Sequence, residues 1–275
     1  MDALKKARSL TCWSGPVDPQ PLIGGITNTN FVVADGGEKY VVRIGDDIPQ
    51  HGIMRFGELA ASRAAFAAGI SPQVVHHQPG ALVIRFIEGI TYGPEDVRQN
   101  LDPIVDLIRR VHKDLPHFYR GPALMFWVFH VLRDYRHTLD AGGSRLISEL
   151  EDLAAKATVL EEAVGPVQLV FGHNDLLAAN FIDDGTRIWL IDWEHAGLSS
   201  PLFDLANLAS NNELTDGQEE WMLETYFGYP ADDRLRHRYR AMKCASLLRE
   251  AMWSMVSTSS PRNCRARAKQ AAASA

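Results

Sequence analysis

No stretch of this sequence approaches the roughly eighteen consecutive apolar residues that a membrane-spanning helix requires. The apolar run Met125–Leu132 is much shorter and reads as a buried helix. Lys5, Lys6 and Arg8 are followed by no apolar segment, so a secretory leader is not expected. Cysteine is scarce: Cys12, Cys244 and Cys264 are odd in number, far apart and without metal-ligand spacing. That excludes a disulfide framework and a zinc site of the usual spacing, and points to reduced thiols in a cytoplasmic protein. Positive charge is also short, with 28 Lys and Arg against 34 Asp and Glu and a net charge of -6, which argues against nucleic acid as a partner. His76, His77, His112 and His195 have no ligand spacing and are expected to be ordinary surface or loop residues.

The remainder has the profile of a globular chain. Hydrophobic residues make up 46% and charged residues 23%, and 275 residues suffice for one large domain or two small ones packed together. Asn30–Ala34 and Tyr40–Ile44 are β-rich runs around Asp35-Gly36-Gly37, a hairpin signal. Met54–Ala68 is Ala-rich, lacks proline and carries Phe56, Leu59, Ala60 and Arg63 at helical spacing, so a helix ending near Gly69 is expected. Gln73–His77 and Ala81–Ile87 read as strands around Pro79-Gly80. Beyond Glu88-Gly89 the apolar period changes. Leu101, Ile104, Val105, Ile108 and Val111 form one helical stripe, and Leu146, Leu150, Leu153, Ala157 and Leu160 another. A β-rich interlude at 167–191 precedes a helical region from Leu202 to Met255, and a basic tail with Arg262, Arg265, Arg267 and Lys269 reads as a loose end. The expected fold class is therefore α+β, with a small β-rich front portion (1–88) joined to a larger, mainly helical portion (89–275).

The chemistry concentrates in Gly172-His173-Asn174-Asp175-Leu176-Leu177-Ala178-Ala179-Asn180 and the segment Ile188–Glu194. Asp175 and Asn180 sit five apart on a polar loop, Asp183-Asp184-Gly185 is a turn, and Ile188–Ile191 is a strand that delivers Asp192. A loop acid, a loop amide and a strand-end acid can converge across such a hairpin. These oxygen ligands suit Mg2+, which takes one or two carboxylates plus substrate phosphates. Phosphoryl transfer uses the same set, with one carboxylate to accept the proton of the attacking hydroxyl and an acid and an amide to hold the metal.

The spacing resembles the H-R-D-x-x-x-x-N loop of protein kinases, with Asn174 in place of Arg. Asp192 resembles the aspartate of D-F-G, but Trp193-Glu194 replaces Phe-Gly and no A-P-E follows. The pattern H-N-D-L-x-x-x-N, then I-D-[FW]-E, then Pro201–Leu205, resembles the choline/ethanolamine kinases within the aminoglycoside phosphotransferase superfamily. That resemblance spans about residues 20–255. It implies a two-lobed, protein-kinase-like fold and an ATP- and Mg2+-dependent kinase that phosphorylates a small alcohol. Asp175 is then the base, Asn180 and Asp192 hold the metal, and His173 and Asp204 brace the loop. Gly24–Asn30 resembles the family's G-G-x-T-N-x-N loop, which implies that Gly25, Thr27, Asn28 and Asn30 approach the nucleotide. Arg43 would contact phosphates, with Glu58 as its ion-pair partner, and Phe86 and Glu88 belong to the hinge that meets adenine. The C-terminal helix resembles W-x-x-W-S-x-V, with Trp253 at the second Trp and Glu250 where the first would stand. Glu194, Glu250 and Trp253 are the candidate acceptor contacts. Asn211 and Asn212 lie in a region that often contacts substrate, and Trp221, Tyr226 and Tyr229 could supply further aromatic walls. Choline, ethanolamine or a similar amino alcohol is the leading acceptor. An aminoglycoside or thiamine, or a non-catalytic nucleotide-binding module on the same fold, are the alternatives. The sequence leaves the oligomeric state open.

Overall fold

The computed structural model describes residues 2–25, 27–142 and 147–259. The front portion opens with a short helix α1 (Ala3–Arg8) and builds a five-stranded antiparallel sheet in the order β1-β2-β3-β5-β4: β1 Gln20–Leu22, β2 Thr29–Asp35, β3 Glu38–Ile44, β4 Val74–Gln78 and β5 Ala81–Arg85. Both expected hairpins form. In the β2–β3 hairpin Asp35 faces Glu38, and Gly36 and Gly37 both have positive φ, as a two-residue primed turn requires. Phe31, Val33, Val42, Ala81 and Val83 bury one sheet face against Ala7 and Leu10 of the N-terminal segment.

Helix α2 (Arg55–Ala67) lies where expected, and its buried face is made of small and polar residues. Gly57, Glu58, Ala61, Ser62, Ala64 and Ala65 face inward, and Phe56 is exposed. The small residues let the helix sit close to its neighbours, and the inward Glu58 and Ser62 mark a polar interface. The helix ends in a Schellman arrangement, with Ile70 N–H bonded to Ala65 O at 2.8 Å and Gly69 N–H to Phe66 O at 2.9 Å. Gly69 takes the left-handed conformation there (φ 69°). Ser71 then donates to Leu190 O at 2.6 Å, which ties this corner to the larger portion.

The larger portion comprises β6 (Ile90–Thr91), α3 (Pro94–Gln99), α4 (Leu101–Lys113), α5 (Leu115–Phe118), α6 (Val128–Ala141), α7 (Ile147–Val164), β7 (Val170–Gly172), β8 (Phe181–Asp183), β9 (Ile188–Leu190), β10 (Gly197–Ser199), α8 (Pro201–Asn211), α9 (Asp216–Phe227) and α10 (Asp233–Ser259). The α4 stripe read from the sequence is buried throughout. In α7, Leu150 and Ala157 are buried, whereas Leu146 lies outside the described residues, as do Cys264 and the basic tail beyond residue 259. The run Met125–Leu132 is only partly helical. α6 begins at Val128, and Met125 is exposed and bridges Leu198 in parallel. α8 is the central helix, buried from Pro201 to Ala209, with α10 packed across it and against α6 and α7. No helix among the described residues is long and apolar enough to cross a membrane.

The front portion leads at Gly89 into β6, which pairs with β8, Ile90 opposite Asp183. Gly89 sets that approach, since a Cβ there would lie 2.5 Å from Asp183 O and 2.9 Å from Ile182 Cγ2. Gly89→Ala forces backbone apart at this junction and is expected to cost about 1–3 kcal/mol, as overpacking does. Denaturant unfolding checks this, and an unchanged midpoint would count against the junction being tight.

Candidate active site

Strand β7 leads into the loop 173–177, and the loop hangs from one carboxylate. Asp204 on α8 has no exposed surface. It accepts the His173 N–H at 2.8 Å, the Asn174 N–H at 2.7 Å and His112 Nε2–H at 2.9 Å. Burial alone would raise its pKa, but the His112 hydrogen bond and the charges and donors around it hold the carboxyl below its ordinary value. Gly172 makes room for this, because a Cβ there would sit 3.1 Å from Asp204 Oδ2. Asn174 is thereby held at φ 65°, a strained setting for a non-glycine residue, while its side chain donates to His195 O at 3.0 Å. Asn207 accepts the Leu176 N–H at 2.6 Å, and Asn212 donates to Leu176 O at 3.1 Å.

The loop is then sewn to the strand that carries Asp192. His173 Nε2–H donates to Ile191 O at 2.9 Å and Nδ1 accepts the Asp175 N–H at 3.3 Å, which fixes its neutral tautomer. Ile191 N–H donates to Asn180 O at 3.0 Å, and Asn180 Nδ2 to Asp175 O at 2.8 Å. Trp193 fills the floor beneath, edge-on to His173, with its indole N–H on Ser71 Oγ at 2.9 Å. Asp175, Asn180 and Asp192 therefore converge as the sequence suggested. Asp192 is itself at φ 70°.

From the front sheet comes a buried charge network. Arg43 Nη2 lies 2.6 Å from Asp192 Oδ1, and its Nε lies 3.0 Å from Glu58 Oε1 on α2. Burial would push the Asp192 carboxyl up, but the Arg43 guanidinium outweighs it and holds the group below the usual carboxylate range. Arg55 adds a second guanidinium, bridging Glu58 at 2.7 Å and Glu194 at 3.0 Å. Glu194, a candidate acceptor contact, is 6% exposed and clamps the front loop at Thr27 and Asn28 while also lining a neighbouring cavity. It accepts Thr27 Oγ1–H at 2.8 Å and Asn28 Nδ2–H at 3.1 Å. Gly25 (φ 85°) lets that loop turn tightly over Asn30, whose amide donates to Gly24 O at 3.3 Å. Phe86 and Glu88 lie away from this cluster. Phe86 N–H donates to Lys39 O at 3.0 Å, and the Glu88 carboxylate pairs with Lys39 at 2.6 Å in solvent.

Among the described residues no trio of His, Cys, Asp or Glu forms a metal-ligand cluster. The available oxygen ligands are Asn180 Oδ1 and Asp192 Oδ2, neither of which accepts a hydrogen bond among the described residues. One amide and one carboxylate oxygen fit Mg2+ completed by phosphates and water, and would not fit a softer metal.

The phosphotransferase enzyme family model matches residues 18–243. The chain belongs to this phosphotransferase family. It is 28% identical over 215 residues to protein LicA of Haemophilus influenzae, an alignment covering 76% of this chain and 62% of LicA. It is 25% identical over 264 residues to ethanolamine kinase 2 of Rattus norvegicus, covering 84% of this chain and 68% of the kinase. A crystal structure of a choline/ethanolamine kinase family protein from Mesorhizobium loti superposes with a TM-score of 0.74 at 29% identity, covering 93% of this chain and 85% of that one. The two-lobed kinase-like fold expected from the sequence is thus the fold of this phosphotransferase.

Several residues of the phosphotransferase's site escaped the sequence reading. His112 and His195, expected at the surface or in loops, are buried. His112 supports Asp204 and accepts Tyr226 O–H at 2.7 Å, so Tyr226 serves the loop rather than an acceptor wall. Trp221 and Tyr229 are largely exposed. His195 Nε2 accepts from Arg249 at 3.2 Å. Arg249, 2% exposed, lies 4.0 Å from Asp175 and pairs with Glu250. Only its place beside Glu250 in a motif-bearing helix hinted at it.

Among the described residues no hydrogen bond reaches the Asp175 carboxylate, whose nearest cation is Arg249 at 4.0 Å. Burial is the main reason its pKa rises to about 7 from 3.8; Arg249 opposes the shift, and Asp192, Glu250 and Glu194 add to it. A carboxyl raised in the folded state binds a proton there that the unfolded chain has already lost. Its contribution to stability therefore falls as pH climbs from about 4 to about 7. Asp175→Asn, which mimics the protonated form, is expected to be more stable than the parent by roughly 1–3 kcal/mol at pH 8. Near pH 4 the two should unfold alike. Denaturant titrations at the two pH values check this, and a difference that does not change with pH would contradict the burial argument.

Proposed function

We propose that this phosphotransferase moves the γ-phosphoryl group of ATP to the hydroxyl of ethanolamine, choline or a similar small amino alcohol. The observation that carries the reading is the half-buried Asp175 carboxylate, 4.0 Å from Arg249 and held beside Asn180 and Asp192, with Arg43 and Glu58 behind them. The relatives support the acceptor class: ethanolamine kinase 2 is one of them, and LicA of Streptococcus pneumoniae, similar in fold at a TM-score of 0.74, is a choline kinase. A LicA structure with AMP supports nucleotide use.

In this reading residues 1–88 form the nucleotide lobe, and residues 89–275 carry the chemistry and the acceptor. Asp175 orients the acceptor hydroxyl and takes its proton. The hydroxyl oxygen bonds to the γ-phosphorus as the bond to the β–γ bridging oxygen breaks, and ADP leaves. Arg43 steadies the phosphates. Gly25, Thr27, Asn28 and Asn30 line the phosphate loop once Thr27 and Asn28 release Glu194, and the chain near Phe86 and Glu88 meets adenine through its backbone. Asn180 and Asp192 would hold Mg2+, whose charge offsets that of the phosphates. Catalysis is then mainly positioning and charge neutralisation, in a reaction that belongs in the cytoplasm with its ATP supply.

One observation favours a second reading, an aminoglycoside acceptor. A cavity of about 260 Å³ beside the site is lined by Asp134, Glu194, His51, His130 and Tyr135, and a polycation suits such acids.

An ADP-release assay with MgATP against ethanolamine, choline, thiamine and kanamycin separates the two. Turnover with the amino alcohols is expected, and turnover with kanamycin alone would reassign the acceptor. Asp175→Ala should lower kcat by about 10²–10⁴-fold while MgATP binding persists, and undiminished turnover would remove Asp175 from the role of base.

A further inference from the structure

The acceptor end of the site has the wrong chemistry for a quaternary ammonium. Such a cation has no N–H to donate and is held by aromatic faces. Of the two Trp positions in the C-terminal helix motif, one holds Glu250. The other, Trp253, already has His51 packed against it, ring centroids 5.1 Å apart and 34° from parallel. His51 is buried and fixed on every side, with Nδ1 3.3 Å from Tyr135 Oη, Nε2 3.1 Å from Ser257 Oγ and its ring edge-on to Tyr135. One face of the Trp253 indole is therefore covered by the protein's own imidazole, and the other Trp position is a carboxylate.

A hydrogen-bonding alternative is present. Glu250 is 35% exposed at its side chain, and its Oε1 pairs with Arg249 Nη1. Its Oε2 accepts no hydrogen bond among the described residues. The same Arg249 Nη1 lies 4.0 Å from Asp175 Oδ1. Both carboxylates thus flank one guanidinium nitrogen, so a short acceptor can place its hydroxyl on Asp175 and its ammonium on Glu250. Arg249 sharpens the choice. Its buried positive charge repels any cation brought beside it. A primary ammonium offsets that repulsion with N–H bonds to Glu250, and a quaternary one cannot.

We propose that Glu250, with Arg249 behind it and His51 closing off Trp253, makes this enzyme selective for a primary amino alcohol over its N-methylated forms. This rests on the amino-alcohol kinase reading above and names the acceptor within it. A site built to bond a substrate N–H disfavours the analogue that lacks it, because the site's polar group is left unpaired.

The test is the methylation series ethanolamine, N-methylethanolamine, N,N-dimethylethanolamine and choline, each with saturating MgATP. The wild-type enzyme should show kcat/KM falling at each added methyl, by about tenfold or more across the series, with the fall mainly in KM. Glu250→Gln should erase about tenfold of the ethanolamine-to-choline preference, again through KM. Because Glu250 also pairs with the buried Arg249, the folded state of the variant is checked by its thermal transition, and the series on the unaltered enzyme stands without it. A flat series, a preference for choline, or a Glu250→Gln variant with the wild-type preference would overturn the proposal while the amino-alcohol reading stands. Absence of turnover with all four, in a protein that binds MgATP, would overturn that reading and this inference with it.

Discussion

Asp204 is the residue on which the site hangs. A carboxylate with no solvent contact is costly unless its oxygens are filled, and here they are filled by two consecutive backbone N–H groups and an imidazole N–H. The requirement runs both ways. The loop needs an acceptor to hold Asn174 in a left-handed conformation, and Asp204 needs donors to be tolerated on a fully buried helix. Through His173 and Asn180 that constraint passes to Ile191 and so to Asp192. The acid, the amide and the second acid are placed by one rigid frame rather than by three independent loops.

The front portion joins this frame through charge. Arg43 and Arg55 share Glu58, Asp192 and Glu194, so two guanidiniums stand among three carboxylates. Removing any one member of such a buried set leaves an uncompensated charge, so the network fixes the relation of the sheet to the catalytic loop more firmly than a surface ion pair would. Glu194 extends the network to the front loop by accepting from Thr27 and Asn28.

Much of this was legible in the sequence. The two hairpins, the helix ending at Gly69 and the stripe of α4 follow from turn chemistry and apolar period. The spacing of Asp175, Asn180 and Asp192 survives as geometry because a tight hairpin leaves little freedom between them. Less legible was whatever depends on long-range partners. The inner face of α2 could not be read from apolar spacing, because it is made of small side chains together with Glu58, which pairs with Arg43 and Arg55. His112 and His195 looked ordinary because their partners, Asp204 and Arg249, are remote in sequence.

The sequence by itself determined the local elements and which residue types reach the 173–180 loop, since periodicity, turns and short spacings act within a few residues. Only the tertiary structure decided what each group faces. It set Glu194 under the front loop, Arg249 beside Asp175, and His51 across Trp253. These are contacts between segments more than fifty residues apart, and their burial and charge exist only once the chain has closed on itself.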